Sequence, residues 1–374
     1  MVKQISNSYI QLKKRKVLFV GGFKNQTKDG GLGGQIFACN SLVSSELKNI
    51  FEFTLLDTTA VSIPAPPVYK RIIPVIKRFF TFIKHLVFSK IETVLIFSSS
   101  GFSFYEKGLM AIIANLLGRN VVFAPRSGLL LFDYQKSKVM RVFMKLVIRS
   151  SNTWVCQGES WKEFYSKIDP AQPISKFIKI YNWIDVKPYK NTQQKDFNNS
   201  MPLKIMYLGW LEEYKGIKDF LKAMHKIKEA NIVCEIYGDG SLREWSKNFI
   251  NENNLSNKIT IRGWANFQTK IDAFHINDVF ILPSYAEGFP NVVIEAMAAG
   301  ICVISSDVSS LSELINDGEN GFIFKTGNIN HLIEKILYVN ENRDVLEKIS
   351  INGIHKVTKN HTILNAEKLF QNIL

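Results

Sequence analysis

Two doubly wound α/β domains facing each other across a cleft are the fold this sequence predicts, on three observations. Short β-branched and aromatic runs alternate with helix-length segments along the chain, as βαβ units require. Those runs are apolar on both faces, so the strands belong in parallel sheets with helices on each side. The alternation is interrupted once, by the polar stretch NTQQKDFNNSMP at 191–202, and then starts again. At 374 residues the chain is long enough for two such cores.

In order, KVLFVGGF, EFTLLDT, TVLIFSSS, NVVFAP, NTWVCQ and FIKIYN read as the strands of the first domain. LKIMYLGW, NIVCEIYG, KITIRGW, DVFILPS and ICVISS read as those of the second. The expected division is 1–190, 191–352 and a final helix over 353–374 that packs back on the first domain. The longest run without a charged residue, 30–45, holds four Gly and three Ser in 16 residues, so no membrane span is expected. The N-terminal MVKQISNSYIQLKKRK has no apolar signal core, which leads to a cytoplasmic expectation. Cys39, Cys156, Cys234 and Cys302 stand singly, with neither disulfide nor zinc spacing.

Ligands of such sheets bind at the carboxyl ends of the strands, so the loops there carry the candidate chemistry. The first is Gly-rich: Gly31, Gly33 and Gly34 precede a helix, where backbone can approach a phosphate or sugar. A flexible turn explains that loop about as well. In YLGWLEEYKGIKDF, Lys215 follows a strand and opens a helix, suited to a phosphate or simply to solvent. In EGFPNVVIEAMAAG, Pro290 suits a first helical turn, which puts Glu287 in the loop and Glu295 one to two turns inside the helix. The N–H groups of 288–291 can then hold an anion while the two carboxylates accept hydrogen bonds from hydroxyls on either side.

The stretch SYAEGFPNVVIEAMAAGICVISSDVSSLSELINDGENGFIF closely resembles the E-x7-E region of retaining glycosyltransferases of family 4. LGW…EEYKGI, IYGDGSLRE, IRGW and YNWID extend the resemblance, strongly over 203–325 and more weakly before 190. It implies the GT-B fold of two facing Rossmann-like domains and transfer of a sugar from a nucleotide-sugar to an acceptor hydroxyl with retention. By that resemblance Glu287 meets the donor sugar, Glu295 the ribose, and Gly288, Phe289 and Asn291 offer N–H groups. Lys215 meets the diphosphate, and Gly263 and Trp264 border the base. No metal is implied, because fixed N–H dipoles and a cation stabilise the leaving diphosphate. The sequence departs from the pattern twice. Trp210 stands where the family has a diphosphate-binding Arg, and Arg126 where many relatives have a His near the reacting sugar. Arg126 is expected as an active-site cation and not as a base, since guanidinium does not deprotonate in proteins.

Net charge is +14, but residues 1–200 carry 29 Lys and Arg against 12 Asp and Glu, while 201–374 carry 18 against 21. The first half therefore faces something anionic or is a solvated basic surface. Lys70, Lys77 and Lys84, with Arg71, Arg78 and His85, recur every seven residues in a segment that lacks any acid over 58–91. Such a helix at 69–89 suits an anionic membrane surface. Together with the resemblance, it points to a polyprenyl-diphosphate-linked acceptor in bacterial surface-polysaccharide assembly. A phosphorylase of the same fold, a silent nucleotide-sugar-binding protein and a nucleic-acid-binding module are the alternatives. The last has no RNP, KH or helix-turn-helix signature behind it.

Overall fold

The computed structural model describes residues 14–24, 34–59, 68–190 and 201–374, with the side chains of the helix that starts at Val68 described from residue 72. The sequence readings at Gly31, Gly33 and most of the 191–202 stretch lie outside the described residues, as do the side chains of Lys70 and Arg71.

Six parallel strands form the first sheet: β1 (Arg15–Gly21), β2 (Phe51–Asp57), β3 (Thr93–Ser98), β4 (Asn120–Pro125), β5 (Thr153–Cys156) and β6 (Phe177–Lys179). Their order is β2-β1-β3-β4-β5-β6. The second sheet holds β7 (Leu203–Leu208), β8 (Ile232–Tyr237), β9 (Ile259–Gly263), β10 (Val279–Leu282), β11 (Cys302–Ser306) and β12 (Phe322–Phe324). It too is parallel, in the order β12-β11-β10-β7-β8-β9. In both sheets the order reverses beside the first strand, which opens a crevice at the carboxyl edge. Three-residue β12 is absent from the sequence reading; it is too short to show a period.

The central strands β1, β3 and β10 are buried along their apolar residues, as strands covered on both faces must be. Over the first sheet, helices 68–88, 102–116, 138–149 and 159–168 supply one apolar layer, around Phe82, Phe104, Met144 and Trp161. On the opposite face Cys39 and Leu42 pack with Phe370.

The chain end corrects one expectation. Instead of one helix from about 353, there are two, Val345–Asn360 and Ile363–Ile373. Gly353 sits inside the former, against Met297 and the Asn320 carbonyl, so it marks a close contact and not a helix start. The break falls at Thr362, whose side chain forms a reciprocal cap with Asn365. Val357 belongs to the second domain's core. Beyond the break Phe370 packs on Phe97 and Trp183 of the first domain, at ring distances of 6.0 and 5.8 Å. The chain therefore crosses back between domains at His361.

The helix Val68–Phe88 also differs from its reading. Phe82 and Leu86 are buried and Phe79 packs against the core, while Ile72, Ile73, Ile76, Phe80, Ile83, Val87 and Phe88 are exposed together with Lys77 and Lys84. Arg78 does not join that outer face. It turns inward to a bidentate pair with buried Glu106, at 2.6 and 3.0 Å. A carboxylate on the neighbouring helix outcompetes solvent for it, which a seven-residue spacing does not reveal.

Candidate active site

The strand-end loops of both sheets meet around one cavity of about 430 Å³. From the first domain come Gly34 and Gln35 at the start of helix Gly34–Ser44, and Arg126 to Leu129 after β4. From the second come Trp210, Lys215, Trp264, Lys270, residues 286–292 and Glu295. Pro290 is the N-cap of helix Asn291–Ala298, which leaves Glu287 in the loop after β10 and Glu295 about one turn inside the helix. The open ends of two helices, at Gly34 and at Asn291, therefore approach each other in the cavity, with a Cβ on Gly34 reaching 3.5 Å from the Asn291 amide.

Each carboxylate has a lysine. Lys215 Nζ lies 2.6 Å from Glu287 Oε1, which also accepts from Ser284 Oγ at 2.7 Å. Gly216 makes this possible. It has φ +71°, and a Cβ there would collide with the Pro283 carbonyl oxygen, so only glycine lets the lysine loop close on the end of β10. Deeper in, Lys270 Nζ is 2.7 Å from Glu295 Oε2 and lies over the rings of Tyr189 and Phe267, at 5.7 and 5.5 Å.

Arg126 is held differently. Its guanidinium lies between Phe97 and Trp183, 4.8 and 4.9 Å from their ring centroids. Nη2 donates to Asn182 Oδ1 at 2.6 Å, while Nη1 is buried without a hydrogen-bond partner. Burial pushes its pKa down to about 10, and among the described residues no carboxylate pairs with it. The cavity's charged residues are thus Arg126, Lys215 and Lys270 against Glu287 and Glu295, a surplus of one positive charge. Such a cavity is suited to a ligand with a negative centre flanked by hydroxyls.

Lys215, Arg126, Gly34, Trp264, Gly288, Phe289, Asn291, Glu287 and Glu295 all line this cavity. Gly263 does not. It sits at φ +82°, its carbonyl accepts from Gly238 N at 2.8 Å, and its effect is to turn the chain that presents Trp264. Trp210 puts its ring 4.8 Å from that of Trp264, so an aromatic wall occupies the position where the resemblance expects an Arg. Sequence reasoning gave no role to Lys270, to Gln157 or to Asn182, the last lying within the YNWID segment of the resemblance. Lys270 had a usable signal, a lysine in the first turn of the helix after the β9 loop. None of the four cysteines is in a disulfide and all are buried, and burial pushes the Cys39 thiol up to about 12.

Comparison with known proteins bears on the two domains unequally. The family model described as Glycosyl transferases group 1 matches residues 189–356, which takes in the second domain and most of helix Val345–Asn360. An uncharacterized glycosyltransferase of Methanocaldococcus jannaschii is 28% identical over 213 residues, covering 57% of this chain and 56% of the relative. The UDP-Gal:alpha-D-GlcNAc-diphosphoundecaprenol alpha-1,3-galactosyltransferase of Escherichia coli is 29% identical over 162 residues, 42% of this chain and 41% of that one. The chain thus spans about half the length of the curated relatives it matches. Among solved structures, a sucrose-phosphate synthase from Thermosynechococcus elongatus superposes with a TM-score of 0.81 at 16% identity, over 96% of this chain and 98% of its own. The fold is GT-B.

Proposed function

We propose that the protein is a retaining glycosyltransferase that moves a sugar from a nucleotide-sugar to an acceptor hydroxyl without a divalent metal. The observation that carries this is the cavity itself, with Glu287 and Glu295 on either side of the 288–291 helix entrance and Lys215 beside it. In this reading Glu287 and Glu295 accept hydroxyls of the sugar and ribose, and the diphosphate lies against the N–H groups between them. Lys215 leaves Glu287 for the phosphate oxygens. Charge that develops on the leaving nucleoside diphosphate meets fixed dipoles and a cation, an effect worth roughly 3–4 kcal/mol of barrier per donor group. A thermal-shift screen against nucleotide sugars tests the first step, since a ligand at 100 times its Kd stabilises the fold by about 2.7 kcal/mol. Transfer that EDTA abolishes and magnesium or manganese restores would overturn the metal-free part. Incubating donor with inorganic phosphate and with lipid-linked sugars separates a transferase from a phosphorylase of the same fold.

The acceptor in this reading is a polyprenyl-diphosphate-linked glycan at an anionic membrane surface, in assembly of a bacterial surface polysaccharide. The relative from Escherichia coli acts, by its name, on a diphosphoundecaprenol-linked sugar. Support from this chain lies on the outer side of the first domain. Helix 68–88 exposes an apolar row, with Phe80 at 70% and Phe88 at 76% exposure, and helices 102–116 and 138–149 of the same layer expose Leu109, Leu116, Val139, Val142 and Leu146. Lys77, Lys84, Lys138 and Arg141 stand among them, all exposed. Apolar residues that enter the headgroup layer and basic residues that meet anionic lipid, at about 1 kcal/mol each, are what binding to such a surface requires. Among the described residues no helix is long and apolar enough to cross a membrane. Sedimentation with phosphatidylglycerol vesicles should fall in Lys77→Gln/Lys84→Gln and in Phe80→Ser/Phe88→Ser. Equal binding to neutral vesicles, or unchanged binding in both variants, would contradict this part.

A further inference from the structure

We propose that Asn182 is a positioning residue that ties the first-domain cation Arg126 to the donor loop of the second domain, and so acts on the transfer step more than on nucleotide affinity. The inference rests on the reading of the cavity as a donor site. Asn182 follows β6 and is 6% exposed. Its Oδ1 accepts from Arg126 Nη2 at 2.6 Å and from Gln157 Nε2 at 2.8 Å, both groups of the first domain. Its Nδ2 donates to the Phe289 carbonyl at 2.6 Å and to Asn291 Oδ1 at 2.7 Å, both in the second. The amide is oriented unambiguously, because guanidinium can only donate and a carbonyl can only accept. Two acceptor and two donor positions are filled, which is all a side-chain amide offers. The backbone is fixed as well, since His361 Nδ1 donates to the Asn182 carbonyl at 3.0 Å.

Two features make this more than a buried hydrogen-bond cluster. Arg126 is anchored by two aromatic faces and a neutral oxygen, so it is oriented without being neutralised where it lines the cavity. The same amide bonds the residues whose N–H groups, in the proposed function, receive the diphosphate. Around it the domains touch backbone to backbone: a Cβ on Gly128 would collide with the Glu287 main chain, and Trp161 Nε1 donates to the Gly288 carbonyl at 2.7 Å. Losing the amide would let the cation and the donor loop drift apart while leaving Lys215, Glu295 and Trp264, all on the second domain, able to hold nucleotide.

The test compares wild type, Asn182→Ala, Asn182→Asp, Arg126→Ala and the Asn182→Ala/Arg126→Ala double variant. For each, kcat and KM of nucleotide-sugar turnover are measured, with the UDP dissociation constant from calorimetry and the radius of gyration from small-angle scattering. Asn182→Asp keeps the size of the side chain and serves if the alanine variant does not fold. It retains an acceptor toward Arg126 but loses both donors toward Phe289 and Asn291. The expected result is a kcat lowered about 100-fold in either Asn182 variant, the usual scale for roughly 1 Å of misplacement. The UDP dissociation constant should move by no more than about twofold, and the double variant should be no worse than Arg126→Ala alone. Losses that multiply in the double variant, nucleotide binding that weakens in step with kcat, or an unchanged kcat would overturn the proposal. Scattering reads the tie without turnover: the Asn182 variants should be larger than wild type in the absence of ligand, and an unchanged radius counts against it. If wild type turns over no nucleotide sugar while the variants still expand, the proposed function fails and the interdomain tie stands.

Discussion

The two domains contribute to one cavity in opposite electrostatic styles. In the second, each cation is matched to a carboxylate, Lys215 to Glu287 and Lys270 to Glu295, at 2.6 and 2.7 Å. In the first, Arg126 rests on Phe97, Trp183 and a neutral amide. Paired charges can wait for a ligand at little cost and be re-partnered by it; a buried unpaired charge is expensive and persists where the site uses it. The domain matched by the family model is the one built from pairs. The other carries the unmatched cation and the apolar, basic outer face to which the proposed function assigns the acceptor side.

The largest expected effect lies in the paired half. Glu287→Gln should lower transfer by about 10²–10³, the cost of removing one group that stabilises the transition state. Because Lys215 loses its partner in a largely buried place, some stability should go too. Adding Lys215→Met should then recover melting temperature without recovering activity. If the double variant stays as unstable as the single one, the pair is not what Glu287 contributes to the fold.

A smaller effect concerns the crossing between the halves. His361 is buried between Tyr181 and Phe289, and burial pushes its pKa from 6.5 down to about 4. The folded state therefore resists the proton that the unfolded chain accepts. Stability is complete above about pH 6.5, declines as pH falls toward 4, and levels off below with a loss of about 3 kcal/mol. His361→Gln should remove that share of the acid sensitivity in urea titrations at pH 7 and pH 4.5. An identical pH dependence in the variant would show that other groups account for it.

The smallest concerns the aromatic wall. Trp210→Arg restores the cation that the resemblance expects, and a charge-assisted bond to diphosphate should tighten UDP by about tenfold or somewhat more. Unchanged or weaker UDP binding would mean that the Trp210–Trp264 contact itself holds the nucleotide.

Eleven of the twelve strands among the described residues were legible in the sequence, because parallel strands packed between helices read as short apolar runs alternating with helix-length segments. In the second domain Glu287, Glu295 and Lys215, each placed by a strand end or the helix after it, line one cavity. Partners brought together by folding were not legible. Lys270 meets Glu295 from a different helix, Arg78 is taken by Glu106 28 residues away, and Asn182 joins groups 56 residues before it and 107 after it. The resemblance puts Gly263 with Trp264 in the loop that borders the base, whereas Gly263 does not line the cavity and turns the chain that presents Trp264.

Nucleoside diphosphate release measured beside sugar transfer, with the product's anomeric configuration read by NMR, tests the central claim most directly. Wild type incubated with its stabilising nucleotide sugar and a lipid-linked acceptor should yield a glycoside of the donor's own anomeric configuration in EDTA. Glu287→Gln, folded by circular dichroism, should yield almost none. An inverted product, or undiminished transfer by Glu287→Gln, would contradict the account.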